Sequence, residues 1–280
     1  MGKFRELVER NLSPDLRVRV ISGAVYFLVS AVCVLASKWT TLLLMMVTAG
    51  ISASEFYAMQ RSDAKLPNEI LGIVASVCFP LAVFFADWEG ALFVAMMMLI
   101  ALLIWYVFWL RARISDVAVS FFGAAYTGLL LCGIIMIRCR MDNFWGGVLV
   151  LLVLLSTWGN DAFAYLFGSR FGKHKLAPKI SPKKSWEGFI AGLVASVLVW
   201  CVMTLVPGVT MSLPMAALYG LCCGIMGVLG DLAESRIKRN SGVKDSGTIM
   251  PGHGGLLDRT DSLFLVSITA AIFLIGMKCI

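Results

Sequence analysis

Nine apolar runs, each near the length of a bilayer crossing, constrain this chain more than anything else in its sequence. They cover roughly 18–37, 40–60, 70–86, 90–110, 117–137, 146–167, 188–206, 213–235 and 258–279. A bilayer core requires about 20 predominantly apolar residues per helix, and only helices or closed barrels satisfy their backbone groups there. Composition agrees, with 59% hydrophobic and 15% charged residues and a mean hydropathy of +0.86. A water-soluble domain has nowhere to bury that much apolar surface, and a disordered chain needs the opposite balance. The reading is an all-α, polytopic integral membrane protein of about nine transmembrane helices. The first run continues without a small-residue cleavage site, so it reads as a retained span rather than a leader.

Charge orients the array. With the N-terminus on the cytoplasmic side, 20 of the 24 Lys and Arg residues fall on that side. Lys38, Arg138, Arg140 and Lys278 fall on the other. That asymmetry is the usual positive-inside signal, so the +7 net charge reads as topology and headgroup contact rather than nucleic-acid binding. The eight cysteines, seven of them inside apolar runs, read as small buried hydrophobes.

Polar residues concentrate beyond residue 160. The chain therefore divides into a scaffold of helices over 1–145 and a motif-bearing part over 146–280. Asn160 and Asp161 interrupt an apolar run, and a carboxylate at such depth marks function by default. Residues 168–187 carry six cations, among them Lys173, Lys183 and Lys184, with Ser185 positioned to cap the following helix. This mixture of point charges, hydroxyls and exposed amides suits a polyphosphate, and no helix or strand periodicity is evident in it. Asp231, Glu234, Ser235 and Lys238 stand at helical spacings that share a face, followed by Arg239. Lys244 and Asp245 then lead to Gly252, His253, Gly254 and Gly255, where the backbone can approach a ligand closely. Asp258, Arg259 and Asp261 follow, the two carboxylates spaced to face one cation. Glu55 is the clearest charge in the first half and has no assigned role.

These motifs resemble the bacterial phosphatidate cytidylyltransferases, also called CDP-diacylglycerol synthases. The resemblance is carried by Ser235-x-Ile-Lys-Arg239, Lys244-Asp245-x-Gly247 and Pro251-x-His-Gly-Gly-Leu-x-Asp-Arg-Thr-Asp261, and by the Asn160–Tyr165 and Phe171–Gly188 stretches. It spans 160–262 strongly, with Ser185 standing where Thr is usual. It implies transfer from CTP to phosphatidate, giving CDP-diacylglycerol and pyrophosphate, with Mg²⁺ and a monovalent cation such as K⁺, in a homodimer of the bacterial inner membrane. On that resemblance Asp231, Lys244, His253, Asp258 and Asp261 are the expected catalytic residues. Asp231, Asp258 and Asp261, with Ser235 and Asp161, are the expected cation ligands. Lys173, Lys183, Lys184, Ser185, Lys238, Arg239 and Arg259 are expected to hold the substrates. A CDP-alcohol phosphotransferase would need a D-G-x2-A-R-x8-G-x3-D-x3-D pattern, which the sequence lacks. An ion or anion transporter would spread its polar residues across the bilayer depth, whereas here they gather at one end.

Overall fold

The computed structural model describes residues 14–62, 66–252 and 254–280. Its helices are α1 (Pro14–Ala36), α2 (Lys38–Ser62), α3 (Glu69–Phe108), α4 (Ile114–Thr127), α5 (Cys132–Arg140), α6 (Phe144–Phe171), α7 (Trp186–Met203), α8 (Leu213–Asn240) and α9 (Leu257–Ala271). A 3₁₀ turn, Leu129–Leu131, joins α4 to α5, and a π turn, Ile272–Gly276, extends α9. Seven segments among the described residues are long and apolar enough to cross a membrane, and Val20–Ala36 of α1 is a shorter apolar helix. This is the architecture of a multi-pass membrane protein.

The third and fourth expected runs meet in α3. Their junction is Ala86 and Asp87, the latter at φ 52°, ψ −147°. The chain folds back so sharply there that a Cβ on Gly90 would lie 2.3 Å from the Ala82 carbonyl oxygen. Asp87 caps the restart through a hydrogen bond from the Trp88 amide (2.9 Å) and receives Arg140 in an ion pair (3.1 Å). Lys38 and Asp142 pair nearby in the chain's topology at 2.5 Å, with Arg138 4.0 Å from the same carboxylate. The loop between α6 and α7 departs from the sequence reading. Beyond the end of α6, residues expected to be irregular form an antiparallel hairpin, β1 (Lys175–Ala177) with β2 (Ser181–Ser185). Pro178 sits in its turn and Pro182 lies within the short second strand. A two-stranded sheet has no central strand that proline would break, so composition concealed it.

Helix ends are capped locally. Ser37 and Thr40 exchange side-chain and amide hydrogen bonds at 3.1 Å before α2, while Asn68 and Asn143 accept from the third residue of α3 and α6. Ser185 does the same for α7, accepting from the Gly188 amide at 3.2 Å as its sequence position predicts.

Close helix contact depends on glycine, as is usual where lipid supplies no hydrophobic drive between helices. A Cβ at Gly188 would lie 2.5 Å from the Ala164 carbonyl, joining α7 to α6. One at Gly230 would lie 2.6 Å from the Asp261 carbonyl, joining α8 to α9. Beneath them an aromatic group of Phe56, Tyr57, Phe122, Tyr126 and Phe264 links α2, α4 and α9.

Gly133 of α5 makes another such contact outside the polar region, with a would-be Cβ 2.2 Å from the Ser267 carbonyl of α9. Gly133→Ala is expected to lower stability by about 1–3 kcal/mol through overpacking. Gly159→Ala, where a Cβ meets nothing within 4 Å, is expected to be neutral or to stabilise by up to about 1 kcal/mol. Thermal unfolding of the detergent-solubilised variants checks both.

Candidate active site

The polar residues singled out in the sequence meet at one end of the bundle, where α6, α8, α9 and the β-hairpin converge with the loop between α8 and α9. That loop is folded around two carboxylates. Asp258, in the first turn of α9, accepts hydrogen bonds from the Ser246 amide (2.9 Å), the Ser246 hydroxyl (2.9 Å) and the Gly255 amide (2.8 Å). Its other oxygen takes the Lys238 ammonium at 2.5 Å. Gly252 and Gly254 adopt φ of 74° and 85°, a region open to glycine at little cost. The Met250 amide donates to the Gly254 carbonyl at 2.9 Å and closes the turn.

The second carboxylate is Glu55 of α2, 5% exposed. It accepts the Leu256 amide at 3.0 Å, the Leu257 amide at 2.8 Å and the Ser246 hydroxyl at 3.2 Å. Its partners lie 191 to 202 positions away in the chain, so no local sequence signal marks its role. The fully buried Glu234 of α8 belongs to the same network: Lys238, one turn on, contacts it as an ion pair off the line of a regular hydrogen bond. One ammonium thus stands between two buried carboxylates. In this arrangement the Lys238 ammonium is paired in the interior with both carboxylates.

A different set forms around Asp231. Its oxygens receive Lys184 of β2 (2.7 Å) and the Ser235 hydroxyl (3.2 Å). Asp161 of α6 accepts from the Ser262 hydroxyl at 3.4 Å, and Asp261 accepts from the Ser262 amide at 2.7 Å. Asp161, Asp231 and Asp261 lie within reach of one another's charge. The buried Tyr126 hydroxyl, without a hydrogen-bond partner, feels Asp261, Glu234 and Asp231. As arranged, no three acidic, histidine or cysteine side chains among the described residues close on a common metal position. Asp161, Asp231 and Asp261 bring three carboxylates, oxygen donors of the kind hard divalent cations take, to one region. Asp258 is instead surrounded by protein donors.

Two cavities open onto this region. One, about 750 Å³, is lined by Lys244, Asp245, Gly247, Thr248, Met250, Pro251, Gly252, Gly254 and Arg259. The other, about 540 Å³, lies under the hairpin between Asp161, Asp231, Lys175, Lys183, Lys184 and Ser185, with Leu176, Phe189 and Val228 giving it a more apolar wall. Tyr165 lines both. Of the remaining expected residues, Lys173 is exposed and lines neither cavity, and Arg239 donates to the Val243 carbonyl at 3.2 Å. His253 lies outside the described residues. His174 pairs with Glu187 at 2.7 Å, holding the hairpin base to α7.

Comparison with known proteins places this arrangement in context. A model of the cytidylyltransferase family matches residues 17–276. A protein of Staphylococcus haemolyticus named phosphatidate cytidylyltransferase is 33% identical over 265 residues, 94% of this chain and 100% of that protein. Proteins of the same name from Staphylococcus saprophyticus and Staphylococcus aureus are 40% and 41% identical over 156 residues, covering 56% of this chain and 58% of theirs.

Removing the central cation isolates two buried carboxylates. Lys238→Met is expected to lower unfolding stability by about 3–5 kcal/mol, the usual cost of breaking a buried pair from one side. Glu234→Gln added to it should restore part of the loss, as measured by denaturation in detergent.

Proposed function

The chain belongs to the cytidylyltransferase family, and on that premise we propose that it joins CTP to phosphatidate, releasing pyrophosphate and leaving CDP-diacylglycerol in the membrane. The observation that carries this reading is the pair of cation-lined cavities meeting at Tyr165 beside a group of carboxylates. A reaction between a water-soluble triphosphate and a membrane phosphate needs two anion sites with a shared wall.

The lipid phosphate is already an anionic nucleophile, so the reaction needs no strong base. One of its oxygens forms a bond to the α-phosphorus of CTP, and the bond from that phosphorus to the bridging oxygen breaks as pyrophosphate departs. The barrier is the approach of two anions and the charge that gathers on the leaving group, which fixed cations relieve. We assign CTP to the larger cavity, where Lys244, Arg259 and the glycine backbone face the ligand. Phosphatidate is assigned to the hairpin cavity, where Lys183 and Lys184 meet an apolar wall suited to the start of the acyl chains. Mg²⁺, held by Asp161, Asp231 and Asp261 with Ser235 beside them, would neutralise phosphate oxygens when bound, and K⁺ is carried in the same proposal as a second cation. Lys184, now paired with Asp231, is positioned to turn from that carboxylate to an arriving phosphate. His253 is proposed as a ligand of the departing pyrophosphate.

The same reading sets the site and N-terminus at the cytoplasmic face of a bacterial inner membrane, in a homodimer. The excess of cations at the site's side of the sequence supports that orientation.

Purified protein given labelled CTP, phosphatidate and Mg²⁺ is expected to yield lipid-soluble label and pyrophosphate; absence of both products overturns the proposal. Asp261→Asn is expected to lower turnover by about 100-fold or more, the scale of losing a principal electrostatic group, with membrane insertion intact. Lys183→Ala should raise the phosphatidate requirement and leave that for CTP unchanged, as read from the two saturation curves.

A further inference from the structure

Glu55 comes from α2, far in sequence from every motif discussed above, yet it lies directly beneath the wall of the larger cavity. Its two oxygens receive the amides of Leu256 and Leu257 and the Ser246 hydroxyl, at 2.8–3.2 Å. Those donors flank the loop of residues 246–257 at both ends. Gly247 and Gly255 press against the same carboxylate so closely that a Cβ on either would lie 2.6 or 2.4 Å from it. The loop is therefore held against one buried carboxylate, and its residues Gly247, Thr248, Met250, Gly252 and Gly254 line the cavity.

We propose that Glu55 is a positioning residue for the nucleotide: its carboxylate clamps the two ends of the 246–257 loop and so sets the shape of the wall that receives CTP. This rests on the proposed cytidylyl transfer and on the assignment of CTP to that cavity. The chemistry favours a clamp over a mere buried charge. Three donors converge on one carboxylate, two of them backbone amides in the opening turn of α9, where a negative charge also opposes the positive end of the helix dipole. The Ser246 hydroxyl lies 3.2 Å from Glu55 and 2.9 Å from Asp258, so with its single proton it links the clamp to the Lys238 pair without satisfying both carboxylates at once.

The test compares wild-type protein with Glu55→Gln and Glu55→Asp in detergent micelles. It measures saturation by each substrate and amide hydrogen exchange across residues 246–258. Glu55→Gln keeps the size of the side chain but turns an NH₂ group toward backbone donors. It is expected to raise the KM for CTP and the exchange rate at Leu256 and Leu257 by about tenfold each, the effect of leaving one buried hydrogen-bonding group unmatched. The KM for phosphatidate should stay within about twofold, since the loop bonds concerned line only the other cavity. Glu55→Asp retains the charge and should recover part of both effects; it also serves should Glu55→Gln not fold. Unchanged exchange, or KM values that both rise equally, both stay constant or rise for phosphatidate alone, overturns the inference. A wild-type protein that forms no CDP-diacylglycerol overturns the proposed function instead, and the exchange measurement then still decides whether Glu55 holds the loop.

Discussion

The Lys238 ammonium, set between Glu234 and Asp258, fixes how the two motif-bearing helices meet. Glu234 is fully buried and the Asp258 side chain is 5% exposed, so either carboxylate alone would be costly to desolvate. Held together by one cation, they lock the last turns of α8 to the first turn of α9. Asp258 then gathers Ser246 and Gly255, and Glu55 gathers Leu256 and Leu257. The glycine-rich loop between the helices is thereby fastened from beneath by two carboxylates. Its outer surface remains available as a cavity wall, and its shape follows from what lies under it.

Much of this was legible in the sequence because it depends on local composition. Hydrophobic length located the helices, including the two legs of α3, and the Ser185 cap followed from its place before an apolar run. The hairpin at 175–185 was not legible, since short strands carrying proline and lysine show no alternation of apolar residues. Nor was the division of labour between Asp258 and Asp261. Three-residue spacing puts both on one side of a helix, but Asp258 lies at the helix start, where unpaired amides and a neighbouring loop compete for it. Asp261, one turn deeper, faces α8 and Asp161 instead. The interior pairing of Lys238 was hidden for a related reason. A lysine in a basic motif reads as a phosphate ligand, and the burial of the two carboxylates beside it shows only in the fold.

Glycine and charge act together at the same interface. Gly230 brings the α8 backbone against the Asp261 carbonyl, and a Cβ on Gly227 would lie 3.2 Å from the Asn160 amide nitrogen and 3.3 Å from Val266. Asn160 donates in turn to the Gly224 carbonyl at 3.2 Å. A larger residue at any of these places would hold α6, α8 and α9 apart by about the width of a methyl group. Asp161, Asp231 and Asp261 come from those three helices, one from each. The spacing of the carboxylates is therefore set by backbone approach as much as by their own contacts, which is why no single segment of sequence displays the group as a unit.

The two sets of cations in the sequence differ in what surrounds them. Lys38, Arg138 and Arg140, assigned by sequence to the far side, are met by Asp142 and Asp87, an arrangement that closes helix ends and presents little net field. In contrast, Lys175, Lys183, Lys244 and Arg259 line cavities. Lys184 is held by Asp231 at the edge of the carboxylate group. A membrane protein that needed only orientation would have no use for cations arranged around two adjoining hollows, since the positive-inside effect depends on their number in short loops and not on convergence. Convergence has a use where anions must be brought together against their own repulsion. Tyr165 lines both hollows, so on the proposed assignment the nucleotide and the lipid phosphate would meet beside one aromatic side chain.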